Sequence, residues 1–224
     1  MTSSMIWIVM IAVMVLSMII QARLKGRFEK YSEVPTGLSG AEVAQRMLQA
    51  HGIHDVNIVS IEGTLTDHYN PQTKTVNLSH DVYYGRNVAA AAVAAHECGH
   101  VVQHAVGYGP LKLRTAMVPV LTFTNSWISW VLLAGLVFYQ AFPSLLWIAI
   151  AMFALTTVFS FVTLPVEVNA SARAVQWLDS AAVVSYETKP MAQDALKWAA
   201  YTYVIAAIGS LATLLYYISI ARRR

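Results

Sequence analysis

The 224-residue chain is unusually apolar, since 57% of its residues are hydrophobic and 12% are charged. Ordinary soluble domains have about 45–50% apolar and about 25% charged residues, so the composition excludes a typical soluble domain and indicates a membrane protein. The formal net charge of +3 comes from the last three arginines alone, which excludes a basic nucleic-acid-binding surface.

Four stretches reach the roughly 20 residues that cross a bilayer as a helix and contain no Asp, Glu, Lys or Arg. They are residues 5–22, 116–139, 144–164 and 198–221. A chain of this length cannot bury four such helices and still present a polar surface, so we predict a mainly α, multi-span helical membrane protein. The first span is expected to be an uncleaved anchor, because no Lys or Arg precedes it and no small-residue cleavage site comes before Arg23.

Residues 35–115, between the first two spans, are predicted to form a small α+β segment. Ser39 and Glu42 make a capping-box pattern, which indicates the start of a helix that ends at Gly52. The other expected elements are a strand at 56–61, a hairpin at 67–78 with its turn at 70–73, and a short helix near 80–84. The last strand of this segment, just before the long helix predicted at residues 86–106, is a candidate sheet edge on which an extended peptide could dock. An ordinary structural hairpin is the alternative.

The most informative motif is His-Glu-Cys-Gly-His at residues 96–100. It lies in an alanine-rich segment that is predicted to be helical from Arg86 to Val106. Residues four apart share a helix face, so His96 and His100 have the spacing of two ligands of one tetrahedral zinc. Glu97 is placed to take a proton from zinc-bound water. The motif therefore predicts a zincin-like hydrolase with one zinc per chain and Glu97 as its catalytic residue.

A catalytic zinc needs a third protein ligand, and Glu167 is the candidate. Pro165 is expected to end the third span, and residues 167–178 are expected to start a new helix. Two spans separate residues 35–115 from residues 165–197, so both segments are predicted to lie on the same side of the membrane. Glu167 can then reach the metal that the two histidines bind.

The distribution of positive charge predicts which side this is. Twelve of the fifteen Lys and Arg residues lie on the side of the motif, and three, at positions 222–224, lie on the other. The positive-inside rule then predicts a multi-pass protein of the cell membrane whose active site faces the cytoplasm. The terminal arginine run argues for the reverse orientation.

Several other polar residues near the motif need interpretation. Cys98 is expected to be a small packed residue, since the position two after the first histidine faces away from the ligands. His104 is expected to pack or to support the site rather than bind the metal, and His68 could approach the site from the hairpin. A donor that stabilises the oxyanion is left open among Tyr186, Arg173 and His68.

Four stretches carry a resemblance to a known family: residues 65–71, 93–104, 118–120 and 164–171. Through them the chain resembles the neutral zinc metallopeptidases of the bacterial YugP type and, more distantly, the HtpX and CAAX-prenyl protease group. The resemblance implies zinc on the two motif histidines and Glu167, with catalysis by Glu97. The distant group has an aspartate four residues after its glutamate, where this chain has Ser171, and Asn169 stands where an acidic residue is expected. The resemblance therefore does not say which residues hydrogen-bond to Glu167 and hold it in place.

Together these features predict a membrane-embedded zinc metalloendopeptidase that hydrolyses peptide bonds through a zinc-activated water. Its expected partners are the lipid bilayer and peptide or protein substrates, membrane proteins among them. One alternative is a site-2-type intramembrane protease, for which residues 178–180, with Asp179, are a near match to a later aspartate motif. The other is a non-enzymatic membrane scaffold with structural zinc, which would have a fourth protein ligand and no need of Glu97.

Overall fold

The structure is a computed structural model that describes residues 3–223 of the chain. In chain order its elements are α1 (Ser3–Ser32), α2 (Gly40–Ala50), β1 (Asn57–Ile61), β2 (His68–Asn70), β3 (Thr75–Ser79), α3 (His80–Tyr84), α4 (Val88–Ala105), α5 (Gly109–Val137), α6 (Pro143–Ser180) and α7 (Lys189–Arg223). Within the described residues, four helices, α1, α5, α6 and α7, are long and apolar enough to cross a membrane. The predicted multi-span, mainly helical fold with a small α+β segment is confirmed.

The helix that carries Glu167 does not begin where the sequence suggested. Pro165 was expected to end the third span, but it lies inside α6, which is one helix from Pro143 to Ser180. A proline removes a single backbone hydrogen bond from the helix and can kink it. Beyond Pro165 one face of the helix, made of Val166, Ala170, Ala174 and Leu178, is completely buried, and this packing stabilises the helical conformation. The prediction of a new helix at residues 167–178 is therefore wrong, and Glu167 lies on the same helix as the apolar run before it.

The described residues form two compact units, and the first comprises Met1–Ile19, Lys112–Leu164 and Thr202–Arg224 as far as they are described. In this unit α5 and α6 approach closely at Gly135, where a Cβ would lie 2.8 Å from the backbone of Leu146. Between α6 and α7, the hydroxyl of Thr157 donates to the backbone oxygen of Ser210 at 3.4 Å. Small residues and hydroxyl hydrogen bonds are typical of packing between membrane helices.

The second unit comprises Ile20–Leu111 and Pro165–Tyr201 and contains all the candidate site residues. Its three-stranded sheet has the order β1-β3-β2, with β1 parallel and β2 antiparallel to β3. The predicted hairpin is confirmed, and its turn is held by the side-chain oxygen of Asn70, which accepts from the backbone N–H of Gln72 at 2.9 Å. β3 is the central strand because it pairs with a strand on each side, and its Val76 and Leu78 are completely buried in the core. The prediction that the strand before the motif helix is an edge is therefore wrong, and β1 and β2 form the edges.

Capping side chains define the helices of this unit. The predicted capping box is confirmed at α2, where the N–H of Ser39 donates to Glu42 Oε2 at 2.8 Å and the N–H of Glu42 donates to Ser39 Oγ at 3.3 Å. Asn87 caps α4 by accepting from the N–H of Ala90 at 2.9 Å. Of the 18 residues of α4, 14 are buried, so the motif helix runs through the core of the unit rather than along its surface.

Candidate metal centre

Two helices of the second unit bring the three predicted ligands together. His96 and His100 lie on α4, and Glu167 lies on α6. Glu167 Oε2 is 3.3 Å from His96 Nε2 and 3.5 Å from His100 Nε2, and one ligand atom from each residue falls within a group no wider than 4.8 Å. All three side chains are largely buried, with exposed fractions of 13%, 10% and 3% respectively.

Gly99 makes this close approach possible. A Cβ at Gly99 would lie only 2.6 Å from the backbone oxygen of Ala170, so α4 and α6 meet with backbone against backbone at this point. Ala170 and Ala174, on the facing side of α6, are completely buried. Their small side chains allow Glu167, about one turn earlier, to reach the histidines.

The donor set fits zinc. Two atoms bound to a tetrahedral zinc at about 2.0–2.1 Å are about 3.3–3.4 Å apart, which matches the two distances from the histidine nitrogens to Glu167 Oε2. Two imidazole nitrogens and one carboxylate oxygen are also the ligands that catalytic zinc sites use. These residues could therefore hold one zinc ion if the group, whose ligand atoms lie within 4.8 Å of one another, contracts to these distances.

Hydrogen bonds orient both imidazole rings. His96 Nδ1 lies 3.1 Å from the hydroxyl of Ser171, and His100 Nδ1 lies 3.0 Å from Gln103 Oε1. Because the Nδ1 atoms are occupied, the Nε2 atoms are the ones presented to Glu167. Such partners fix the tautomer of a metal-binding histidine. Ser171, whose role the sequence left open, thus contacts a histidine.

The local charge favours a cation. Burial lowers the pKa of His100, but its hydrogen bond with Glu167 and the negative charges of Glu97 and Glu167 together raise this pKa above its ordinary value. A negative potential that stabilises an imidazolium also stabilises a divalent metal ion. Glu97 itself is buried, with 7% of its surface exposed, and it directly precedes Cys98 on α4.

Cys98 takes no part in this group. Its side chain is completely buried, its sulfur lies 3.7 Å from the backbone oxygen of Ala44, and burial raises the pKa of its thiol. The prediction that Cys98 is a packed core residue is confirmed.

The other predicted residues have partners of their own. His104 Nδ1 lies 3.2 Å from the hydroxyl of Tyr69 on β2, so it supports the packing of α4 against the sheet. His68 contacts the backbone oxygen of Thr66 at 2.8 Å through Nδ1. Of the other suggested oxyanion donors, Tyr186 is 94% exposed. Arg173 donates through Nε to the side-chain oxygen of Asn169 at 2.8 Å.

One residue that sequence reasoning missed is Gln103. It is completely buried, and its amide nitrogen donates to the backbone oxygen of Val166 at 2.7 Å and to Asn169 Oδ1 at 3.1 Å. The available signal was a polar amide three residues after His100 and directly after two valines of the motif helix.

Comparison with known proteins agrees with this chemistry. The model of a family described as "Putative neutral zinc metallopeptidase" matches residues 6–222. The chain is 41% identical over 212 residues to the "Putative membrane protease YugP" of Bacillus subtilis (strain 168), and the alignment covers 94% of this chain and 93% of that protein. No solved structure gives a significant match. The relative and the four apolar helices support a membrane location.

Proposed function

We propose that this chain, which belongs to the family of neutral zinc metallopeptidases, cleaves peptide bonds as an endopeptidase at one zinc ion held by His96, His100 and Glu167. The observation that carries the proposal is the convergence of both Nε2 atoms on Glu167 Oε2, at 3.3 and 3.5 Å. Two histidines and one carboxylate leave a fourth position for water, as in catalytic zinc sites. A glutamate as third ligand makes the site gluzincin-like.

Each side chain then has a distinct role in the reaction. When bound, zinc supplies a Lewis acid that lowers the pKa of water and polarises a carbonyl group. Glu97 lies next to the first ligand on α4, where its carboxylate accepts a proton from the attacking water and later returns it to the leaving amine. Ser171 holds the imidazole of His96 with its Nε2 atom toward the metal position.

The intramembrane alternative is less well supported by the described residues. The motif helix α4 is not one of the four helices that are long and apolar enough to span a membrane. Asp179, which that alternative needs near the metal, instead makes an ion pair with Lys189 at 2.7 Å. We therefore place the chemistry outside the hydrocarbon region of the bilayer.

The structural-zinc alternative requires a closed site. A structural zinc usually has four protein ligands, whereas the group found among residues 3–223 has three members. Glu97, buried beside this group, has no role in a structural site. The three-ligand set and the neighbouring carboxylate together favour catalysis.

The proposed location of the site suggests which substrates reach it. Glu167 follows the uncharged run 144–164 by three residues on the same helix, so its side chain belongs near the surface of the bilayer. We propose peptide or protein substrates that approach along the membrane, membrane proteins among them. From the positive-inside rule we further propose that the site faces the cytoplasm.

The experiment that tests the function replaces Glu97 with glutamine. Glu97→Gln keeps the size of the side chain but cannot accept the proton, so hydrolysis of unfolded proteins by the detergent-purified chain should fall by orders of magnitude while zinc stays bound. Glu62→Gln, the same change at an exposed position, is the control and should behave as wild type. Undiminished hydrolysis by Glu97→Gln contradicts the proposed function.

A further inference from the structure

A fully buried glutamine on the motif helix has no direct part in the proposed chemistry. Gln103 is 0% exposed and follows Val101 and Val102 in the core of the second unit. A buried amide is costly unless its polar atoms are hydrogen-bonded. Both ends of this amide are hydrogen-bonded, the oxygen to His100 and the nitrogen to two acceptors on α6. The arrangement is thus a complete hydrogen-bonding link between the two helices that carry the proposed ligands.

The partners of Gln103 fix its orientation. The backbone oxygen of Val166, 2.7 Å away, can only accept a hydrogen bond, so the NH2 group of Gln103 must face it. The amide oxygen then faces His100 Nδ1 at 3.0 Å, and this nitrogen must carry the proton. In a neutral imidazole the other nitrogen is then unprotonated. The neutral form, which is the form that binds a metal, therefore presents the Nε2 lone pair toward the metal position beside Glu167 Oε2, which is 3.5 Å away.

The same link joins α4 to α6 on both sides of Glu167. The two acceptors of the Gln103 amide nitrogen belong to Val166 and Asn169, which lie on either side of Glu167 in the sequence. Asn169 Oδ1 also accepts a hydrogen bond from Arg173 Nε at 2.8 Å. The Arg173 guanidinium, which is also on α6, therefore helps to hold the Asn169 oxygen that accepts from Gln103. Gln103 therefore contacts one proposed ligand directly and the backbone beside another.

We propose that Gln103 is a positioning residue that sets the tautomer of His100 and holds His100 and Glu167 at the separation a metal ion requires. The proposal rests on the proposed function, because it assumes that these residues bind zinc. Loss of an outer partner of a metal-bound histidine typically weakens metal affinity about 10- to 100-fold. Removal of the Gln103 amide should therefore weaken zinc binding by about that factor.

Two substitutions separate positioning from packing. Gln103→Met keeps the volume of the side chain and suits an apolar core, but it removes the acceptor of His100 and both donors to α6. Gln103→Glu also keeps the volume and leaves an oxygen that accepts from His100 Nδ1, but it turns a carboxylate toward the backbone oxygen of Val166. The glutamate variant should therefore be the less stable protein and the better zinc binder. If Gln103 only packs in the core, the methionine variant should instead be the more stable protein and the better zinc binder.

The experiment uses the full chain purified in detergent, with zinc affinity measured by competition against a chelator and stability measured by thermal unfolding of the metal-free protein. Gln45→Met, the same change at an exposed position of α2, is the control. We expect the zinc Kd to rise about 10- to 100-fold in Gln103→Met and to stay within about 10-fold of wild type in Gln103→Glu. Bound cobalt in place of zinc should show an altered ligand-field spectrum only in Gln103→Met.

Two results overturn the positioning role: Gln103→Met binds zinc as tightly as wild type, or Gln103→Glu binds it as weakly as Gln103→Met. Either result leaves the proposed function intact as long as the wild-type chain binds one zinc. If the wild-type chain itself binds no zinc, the proposed function fails, and the role of Gln103 fails with it.

Discussion

Gly99 of α4 and Ala170 of α6 meet so closely that a Cβ at Gly99 would lie 2.6 Å from the backbone oxygen of Ala170 and 3.1 Å from its Cα. The contact falls between the two histidines of the motif and about one turn after Glu167. The proposed metal centre therefore depends on a position that has no side chain. Its geometry is a property of how two helices pack as well as of the ligands themselves.

Gly99→Ala should push the two helices apart. Real Cβ atoms do not approach backbone oxygen this closely, and an extra methyl group in a well-packed core usually costs about 1–3 kcal/mol. We expect a lower unfolding temperature and weaker zinc binding. Gly26→Ala is the control, because Gly26 is also helical but a Cβ there meets nothing within 4 Å. That variant should be as stable as wild type or more so, and equal behaviour of the two variants contradicts this account.

Much of the local structure of the second unit could be predicted from the sequence. The capping box at Ser39 and the alanine-rich run of α4 are local signals, and both elements form where those signals lie. The meeting of His96 and Glu167 was also expected, because an even number of spans between them permits it. What could not be predicted is long-range. The parallel pairing of β1 with β3 leaves no signal in either strand alone.

Two further differences between the sequence-based predictions and the structure also come from long-range interactions. Pro165 is a helix-ending signal, but α6 continues through it because one face of the following turns, made of Val166, Ala170, Ala174 and Leu178, is completely buried. Gln103 became recognisable as a link only when its partners on α6, 63 and 66 residues later, were located. Residue type and spacing identified the atoms that could bind the metal. The side chains that orient those atoms required tertiary structure.

Asp67 provides a prediction about pH. Its carboxylate accepts from the backbone N–H of Ser79 at 2.7 Å and from the Ser79 hydroxyl at 3.1 Å. Burial nevertheless outweighs these hydrogen bonds and raises the pKa of Asp67. The native state therefore holds this proton more tightly than the unfolded state. Ionisation of Asp67 should destabilise the fold as the pH rises from the ordinary aspartate pKa, near about 4, through the raised native value.

Asp67→Asn removes this ionisation and keeps an oxygen that accepts from Ser79. Thermal unfolding of the metal-free protein between about pH 4 and pH 7 should show the variant gaining stability over wild type as the pH rises. Asp81→Asn, at a side chain that is 72% exposed, should track wild type throughout. A stability difference between Asp67→Asn and wild type that shrinks with rising pH contradicts this assignment of the sign.

The membrane orientation can be tested with reporters. A reporter that is active only in the cytoplasm should be active when inserted near Gly63, in the loop after β1, and inactive when attached after Arg224. The reason is that twelve of the fifteen Lys and Arg residues fall in residues 23–115 and 165–197, which are predicted to share the side of the motif. The opposite pattern would show that the terminal arginines set the orientation, and it would place the site outside the cell.

The central claim is that Glu167 completes a zinc site with His96 and His100, and zinc content per chain tests it most directly. Glu167→Ala leaves two imidazoles, which rarely hold zinc at high affinity, so the purified variant should lose its metal. Asp179→Ala, which breaks only the partly exposed pair with Lys189, should retain about one zinc per chain. Full zinc in Glu167→Ala together with its loss in Asp179→Ala would contradict the account.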